Sequence, residues 1–336
     1  MVFPNHRGRR LRKHNSIRES LAETNLCVQN LVMPYFIDES NKISSIDSME
    51  GIKRYTEESI VSEVGELLDL GVKMVALFPV ISPQKKSNNG DESLNEDNLI
   101  CRLNRHLKKK FPELIIICDV ALDAYTLSGH DGLVDSLGEI NNDKTIEILS
   151  KMALNFAKSG ADILAPSDMM DGRIKLIRSY LEKNKYHDTC ILSYSSKFCS
   201  NFYSPFRQAL GSEKNLGNNS KSTYQIDFRN RREAIKESLE DIEEGSDIIM
   251  VKPAGYYLDI VREIKDLTVI PIAAYQVSGE YAMIKNAVSN GIFDLRSVVL
   301  ESLFCIKRSG ADIIFSYFHL LHTKLYVFEQ AVFVTL

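Results

Sequence analysis

The chain has 336 residues, 44% of them hydrophobic, and a formal net charge of -4. Such apolar content is enough to bury the core of one large domain, while so small a charge provides no field for nucleic acid or an acidic membrane surface. Cys27, Cys101, Cys118, Cys190, Cys199 and Cys305 include no Cys-x-x-Cys pair, which excludes a cysteine zinc motif and suggests reduced thiols in a cytoplasmic protein.

The amino terminus is basic. Arg7, Arg9, Arg10, Arg12 and Lys13 mark an arm, residues 1–26, that reads as a transit peptide, a nucleic-acid patch, an oligomerisation arm or a solvated tail. No apolar core of a signal segment is present, and no run approaches the ~18 apolar residues that cross a membrane. A strand is expected from Leu31 to Ile37, a helix from Thr56 to Leu70 and a second strand from Met74 to Val80. Ser82 to Asn98, rich in Lys, Asn, Asp and Ser, reads as a long solvated loop. A third strand, Leu114 to Val120, runs into Asp119 to Gly132, where Asp119, Asp123, Asp131 and His130 either bind a hard cation or form an ordinary acidic loop.

A helix over Asn142 to Ser159 then leads to a fourth strand, Ile163 to Ala165. The turn after it, Pro166 to Arg173, crowds Asp168, Asp171 and Arg173 together for ion pairing, helix capping or catalysis. The fifth strand, Cys190 to Ser193, precedes Lys197. Residues 198–230 mix Gly, Ser and Asn with aromatics, and a loop of that length beside a candidate nucleophile reads as a lid. A helix over Arg231 to Glu244 carries Glu237. The sixth strand, Ile248 to Val251, delivers Lys252 to a point that Pro253 closes. A helix over Tyr257 to Leu267, a strand over Ile270 to Tyr275, a helix over Leu295 to Ser309 and a strand over Ile313 to Ser316 complete the series.

Strand followed by helix, repeated, means a parallel sheet. An internal echo supports the repeat: Gly160-Ala161-Asp162, Gly245-Ser246-Asp247 and Gly310-Ala311-Asp312 each join a helix to a strand, with Gly71-Val72-Lys73 a weaker copy. Eight units fit a (β/α)8 barrel over residues 27–318. An open doubly wound sheet is the alternative, but the chain has no Gly-x-Gly-x-x-Gly. In a barrel, Asp119, Ser167, Asp168, Lys197, Lys252, Ser278 and Tyr317 converge on one mouth. An amine held where a buried strand ends loses hydration, which lowers its pKa and lets it attack a carbonyl, and two such amines ease each other's deprotonation. A lysine at a strand end can also be an ordinary surface lysine.

From about Arg9 to about Phe318 the chain resembles the porphobilinogen synthase (5-aminolevulinate dehydratase) family. The resemblance lies in Asp119 to Gly132, Pro166 to Arg173, Ser193 to Phe198, Phe202 to Arg207, Met250 to Pro253, Tyr275 to Met283 and Lys307 to Asp312. It implies a (β/α)8 lyase that condenses two 5-aminolevulinate molecules to porphobilinogen, with loss of two waters, in tetrapyrrole (heme) synthesis. Lys252 resembles the amine that captures the first substrate, and Lys197 the amine that holds the second. Asp119 and Ser167 match positions that hold a substrate amine. Arg207, Lys221 and Gln225 match one carboxylate clamp, Ser278 and Tyr317 match the other, and Tyr203 and Phe206 supply an apolar wall.

Zinc-dependent members carry cysteines where this chain has Ala121, Asp123 and Asp131, so the resemblance implies that catalytic zinc is not used. Asp123 and Asp131 remain candidate ligands for another ion. Glu237 matches a glutamate that anchors allosteric magnesium. The family also implies a homo-octamer that exchanges with smaller assemblies, with no nucleic-acid or membrane partner. Ala124, Ser204 and Phe228-Arg229 depart from the family pattern around the lid, and the tail 319–336 matches nothing in it. A class I aldolase, which needs one Schiff-base lysine and a phosphate site, and a degenerate binding paralogue are the competing readings.

Overall fold

The computed structural model describes residues 3–40, 42–211 and 220–318. The tail 319–336 lies outside the described residues. The strands are β1 (Leu31–Asp38), β2 (Ser44–Ser45), β3 (Lys53–Tyr55), β4 (Met74–Val80), β5 (Ile115–Val120), β6 (Ile163–Pro166), β7 (Cys190–Lys197), β8 (Ile248–Lys252), β9 (Ile272–Tyr275) and β10 (Ile313–Phe315). β1 and β4 to β10 pair in parallel in chain order, and β10 closes on β1 through Leu31 opposite Ile314 and Val32 opposite Phe315. This is the expected (β/α)8 barrel. Strands buried on both faces need continuous apolar runs, which is why all eight were visible in the sequence.

β2 and β3 form a small antiparallel hairpin that leans on β1. The sequence reading missed it because Ser44-Ser45 and Lys53-Arg54-Tyr55 contain no apolar run. The helices Asn142–Ser159 and Leu295–Ser309 have the expected bounds. Ile60–Asp69, Arg231–Glu243 and Leu258–Leu267 are trimmed at their ends. Arg173–Lys183 is the helix that the Pro166 to Arg173 turn leads into, for which the sequence analysis gives no bounds, and Leu99–Lys110, Ser204–Leu210 and Ser278–Ser289 are further helices without an expected range. Leu99–Lys110 begins where the Asn98 side chain accepts the Cys101 N–H, so the residue that closed the predicted polar loop is the cap of a helix.

The glycine–aspartate echo has a physical cause. Gly160, Gly245 and Gly310 adopt φ of +106°, +107° and +124° as their helices end. Two residues later, Asp162 accepts the Ile116 N–H, Asp247 accepts that of Ile191 and Asp312 accepts that of Ile272, at 2.7, 2.8 and 2.9 Å. Each aspartate thus fixes the start of a neighbouring strand. Lys108, Arg178 and Lys265 supply the counter-charges.

Before the barrel, a 3-10 turn (Gly8–Arg12) and a short helix (Asn15–Ser20) bury no side chain, and Leu26 is the first buried residue described. Among the described residues no helix is long and apolar enough to cross a membrane.

Candidate active site

β7 and β8 place Lys197 and Lys252 opposite each other in register at their carboxyl ends. Between Ser193 and Ser196 the register shifts by one residue on β7, which re-aims the strand end that carries Lys197. Both lysines are buried. The Lys252 Nζ sits among four rings, 4.4 Å from the centre of Tyr275, 4.9 Å from Tyr194, 5.0 Å from Phe206 and 5.3 Å from Tyr203. It has no carboxylate partner within ion-pair distance among the described residues. Loss of hydration, reinforced by the Lys197 charge, pushes its amine down to about 7, although Asp119, Asp131 and Asp123 oppose the shift. Lys252 therefore reaches its neutral, nucleophilic form near neutrality.

Lys197 is held differently. Its Nζ donates to the Ser167 carbonyl and lies 3.8 Å from Asp131. Asp119, near the end of β5, is partly buried. Burial and then Asp123 raise its carboxyl to about 7 against the pull of Lys197. A small cavity of about 30 Å³ is lined by Asp119, Asp123, Asp131, Ser167, Lys197, Lys252, Phe78, Tyr203, Phe206, Arg207, Lys221 and Gln225. Eleven of these twelve, the two lysines included, are site residues in the sequence analysis; the exception is Phe78, although its place near the end of β4 is a usable signal. Tyr194 and Tyr275 lie in segments that carry the family resemblance, but the sequence analysis assigns neither a role at the site.

Ser278 and Tyr317 do not line this cavity. The Ser278 Oγ accepts the Phe206 N–H at 3.0 Å, and the Tyr317 hydroxyl bonds that of Tyr275 at 2.9 Å. Tyr317 stacks on Phe36, which packs on Phe206, so both hydroxyls stand behind the aromatic wall around Lys252.

The aspartate loop engages a lysine. The Lys221 Nζ lies 3.3 Å from Asp123 and 3.0 Å from Asp131, and its ammonium occupies the space between the two carboxylates. Burial pushes the Asp131 carboxyl up, but Lys197 and Lys221 outweigh it and hold it below its usual range. Among the described residues no group of three or more His, Cys, Asp or Glu side chains is arranged to hold a metal. His130 bonds the Tyr224 hydroxyl at 3.0 Å, tying the aspartate loop to the same segment as Lys221.

The Pro166 to Arg173 turn divides between two tasks. Ser167 faces the cavity, whereas Asp168 turns towards Arg173, whose Nε is 3.7 Å away. Arg173 forks onto Asp241 with both N–O distances at 2.9 Å and reaches the Ser193 Oγ at 3.1 Å. Asp168 also accepts the Met170 N–H, which steadies a turn in which Met169 adopts φ of +66°. Arg173 and Asp241 are therefore a buried structural pair, and Asp171 is exposed.

Glu237 lies apart, on a cavity of about 310 Å³ shared with Glu139, Asp171 and Glu233. Burial raises its carboxyl, with Arg173 offsetting part of the effect. A half-buried carboxylate beside other acids suits a cation that takes oxygen ligands and retains water.

The sequence profile of the delta-aminolevulinic acid dehydratase family matches residues 5–324. The chloroplastic delta-aminolevulinic acid dehydratase of Selaginella martensii is 47% identical over 93% of this chain and 74% of its own length. The enzyme of the same name from Helicobacter pylori is 44% identical over 93% of this chain and 95% of its own. The crystal structure of delta-aminolevulinic acid dehydratase (porphobilinogen synthase) from Toxoplasma gondii ME49, in complex with the reaction product porphobilinogen, superposes with a TM-score of 0.95 at 41% identity, covering 98% of this chain and 94% of that one. With its paired barrel lysines and a match along nearly its whole length, the chain belongs to the delta-aminolevulinic acid dehydratase family of lyases, the porphobilinogen synthases.

Proposed function

We propose that Lys252 and Lys197 are the two Schiff-base amines of this chain's porphobilinogen synthase reaction, the condensation of two 5-aminolevulinate molecules with loss of two waters in tetrapyrrole synthesis. The observation that carries the assignment is the register pairing of two buried lysines, one of them driven towards its neutral form by burial and by the other's charge. Neutral Lys252 adds to the ketone of the first substrate and expels its oxygen as water. The resulting iminium acidifies the adjacent C–H, so the carbon–carbon bond can form through an enamine without a strong external base. Lys197 captures the second substrate, and Asp119 and Ser167 receive a substrate ammonium.

Arg207, Lys221 and Gln225 bind one substrate carboxylate, while Ser278 and Tyr317 bind the other. Tyr203, Phe206, Arg207, Lys221 and Gln225 all come from the 198–230 segment and make one wall of a cavity with room for roughly one or two waters. That segment must therefore move for substrate to enter, which supports its reading as a lid. Residues 212–219 within it lie outside the described residues.

Glu237 is the residue that would hold magnesium, and the ion would supply charge that favours the active assembly from outside the reaction centre. Catalytic zinc has no place in this reading, because Lys221 provides the positive charge between Asp123 and Asp131. The 1–26 arm, which buries no described residue before Leu26, suits contact with a second copy in a homo-octamer that exchanges with smaller assemblies. A cytoplasmic location is part of the reading, and uptake of the tagged chain by an organelle would contradict it. The purified chain given 5-aminolevulinate should form a product that reacts in a pyrrole colour test. Sedimentation of the full chain and of one lacking residues 1–20 should show a large particle that becomes smaller.

A further inference from the structure

Glu280 is buried at the third position of the helix Ser278–Ser289 and takes no direct part in the chemistry above. Its two oxygens accept two backbone amides from different loops, Gly255 N–H at 2.7 Å and Val277 N–H at 2.7 Å. Burial raises its carboxyl to about 7, opposed by the amides of Val277, Gly255 and Ala254. An unneutralised buried carboxylate is an unfavourable way to fill a core, so its placement calls for a reason beyond packing.

The position of the two amides supplies that reason. Gly255 is three residues beyond Lys252, and Val277 immediately precedes Ser278. A Cβ added at Gly255 would fall on the Glu280 Oε1, so the turn after Lys252 is pressed directly against the carboxylate. In 5-aminolevulinate the ketone and the carboxylate are separated by two methylenes. We propose that Glu280 is a positioning residue that fixes the span between the Lys252 amine and the Ser278 hydroxyl, and thereby selects oxo acids by chain length. This inference rests on the assignment of Lys252 and Ser278 to the two ends of one substrate subsite.

The test uses the full chain, wild type and Glu280→Gln, with 4-oxopentanoate and its one-methylene homologue 5-oxohexanoate. Condensation with Lys252 releases the ketone oxygen as water, and borohydride delivers hydride to the iminium carbon, leaving a stable secondary amine that peptide mass mapping locates. In Glu280→Gln the amide nitrogen cannot accept a hydrogen bond, so one tie is lost. The wild type should trap the shorter acid at about ten-fold lower concentration, the scale of one methylene in a fitted pocket. Glu280→Gln should still be labelled at Lys252 with that preference lost. Equal preference in both proteins, or a wild type labelled at Lys252 without preference, overturns the role of Glu280. A wild type not labelled at Lys252 instead overturns the subsite assignment. Should Glu280→Gln not fold, Glu280→Asp, one methylene shorter and still an acceptor at both oxygens, is measured against the same outcomes.

Discussion

Lys197 and Lys252 stand opposite each other at the ends of adjacent parallel strands, yet their surroundings differ: one amine is hydrogen-bonded to a carbonyl near Asp131, the other is enclosed by aromatic rings. The difference sets a sequence of events. In the proposed mechanism the ring-enclosed amine, pushed down to about 7 by burial and by the Lys197 charge, is the one that attacks first.

The first prediction concerns pH. Lys197 carries a positive charge that disfavours a second one on Lys252, so replacing it by an apolar residue favours the Lys252 ammonium and raises its pKa. In wild type, capture of 4-oxopentanoate at Lys252 should increase as pH rises through about 7, because the neutral fraction increases. In Lys197→Met the same curve should move to higher pH. Borohydride trapping at Lys252 as a function of pH measures both, and superimposable curves would refute the coupling.

Removing Lys221 should destabilise the fold. Asp131 owes its lowered pKa partly to that ammonium, so its pairing contributes stability above the ordinary carboxylate pKa that disappears as pH falls through the folded value. Lys221→Met leaves Asp123 and Asp131 without their closest cation and should lose about 3 kcal/mol at neutral pH. Urea titrations should show the gap to wild type narrowing as the medium becomes acidic. The KM for 5-aminolevulinate should also rise in the variant.

Arg173 and Asp241 should behave as a structural couple. Either Arg173→Met or Asp241→Asn strands a buried partner and should cost about 3–5 kcal/mol, while the double variant should lose less than the sum. Chemical denaturation of the four proteins closes the cycle. Strict additivity would mean that the fork observed between them contributes nothing.

Magnesium should act through Glu237. Millimolar magnesium should raise the turnover of wild type, whereas Glu237→Ala should keep basal turnover and lose the stimulation. A chelator that captures zinc and spares magnesium should leave activity in place. Complete loss with that chelator, restored by stoichiometric zinc, would move the metal to the aspartate loop.

Much of this was legible in the sequence because a barrel strand buried on both faces must be apolar, and because glycine followed by aspartate marks where a helix ends and a strand begins. The two lysines stood out as polar residues closing such runs. Less visible were features made by distant segments. Tyr194 and Tyr275 belong to apolar runs like any other, and only barrel closure brings their rings around Lys252. Arg173 lies in a motif that seemed equally suited to catalysis or support, and the partner that decides, Asp241, is 68 residues away. The short helix Ser204–Leu210 was hidden because Ser and Pro at its start read as loop, whereas Pro is well suited to a first helical turn.

The most direct measurement is mass mapping after borohydride reduction of the protein with 5-aminolevulinate, paired with the turnover of Lys252→Ala. A secondary amine on the peptide that contains Lys252, together with loss of turnover in the variant, is the predicted result. Label confined to exposed lysines, with Lys252→Ala still producing porphobilinogen, would contradict it.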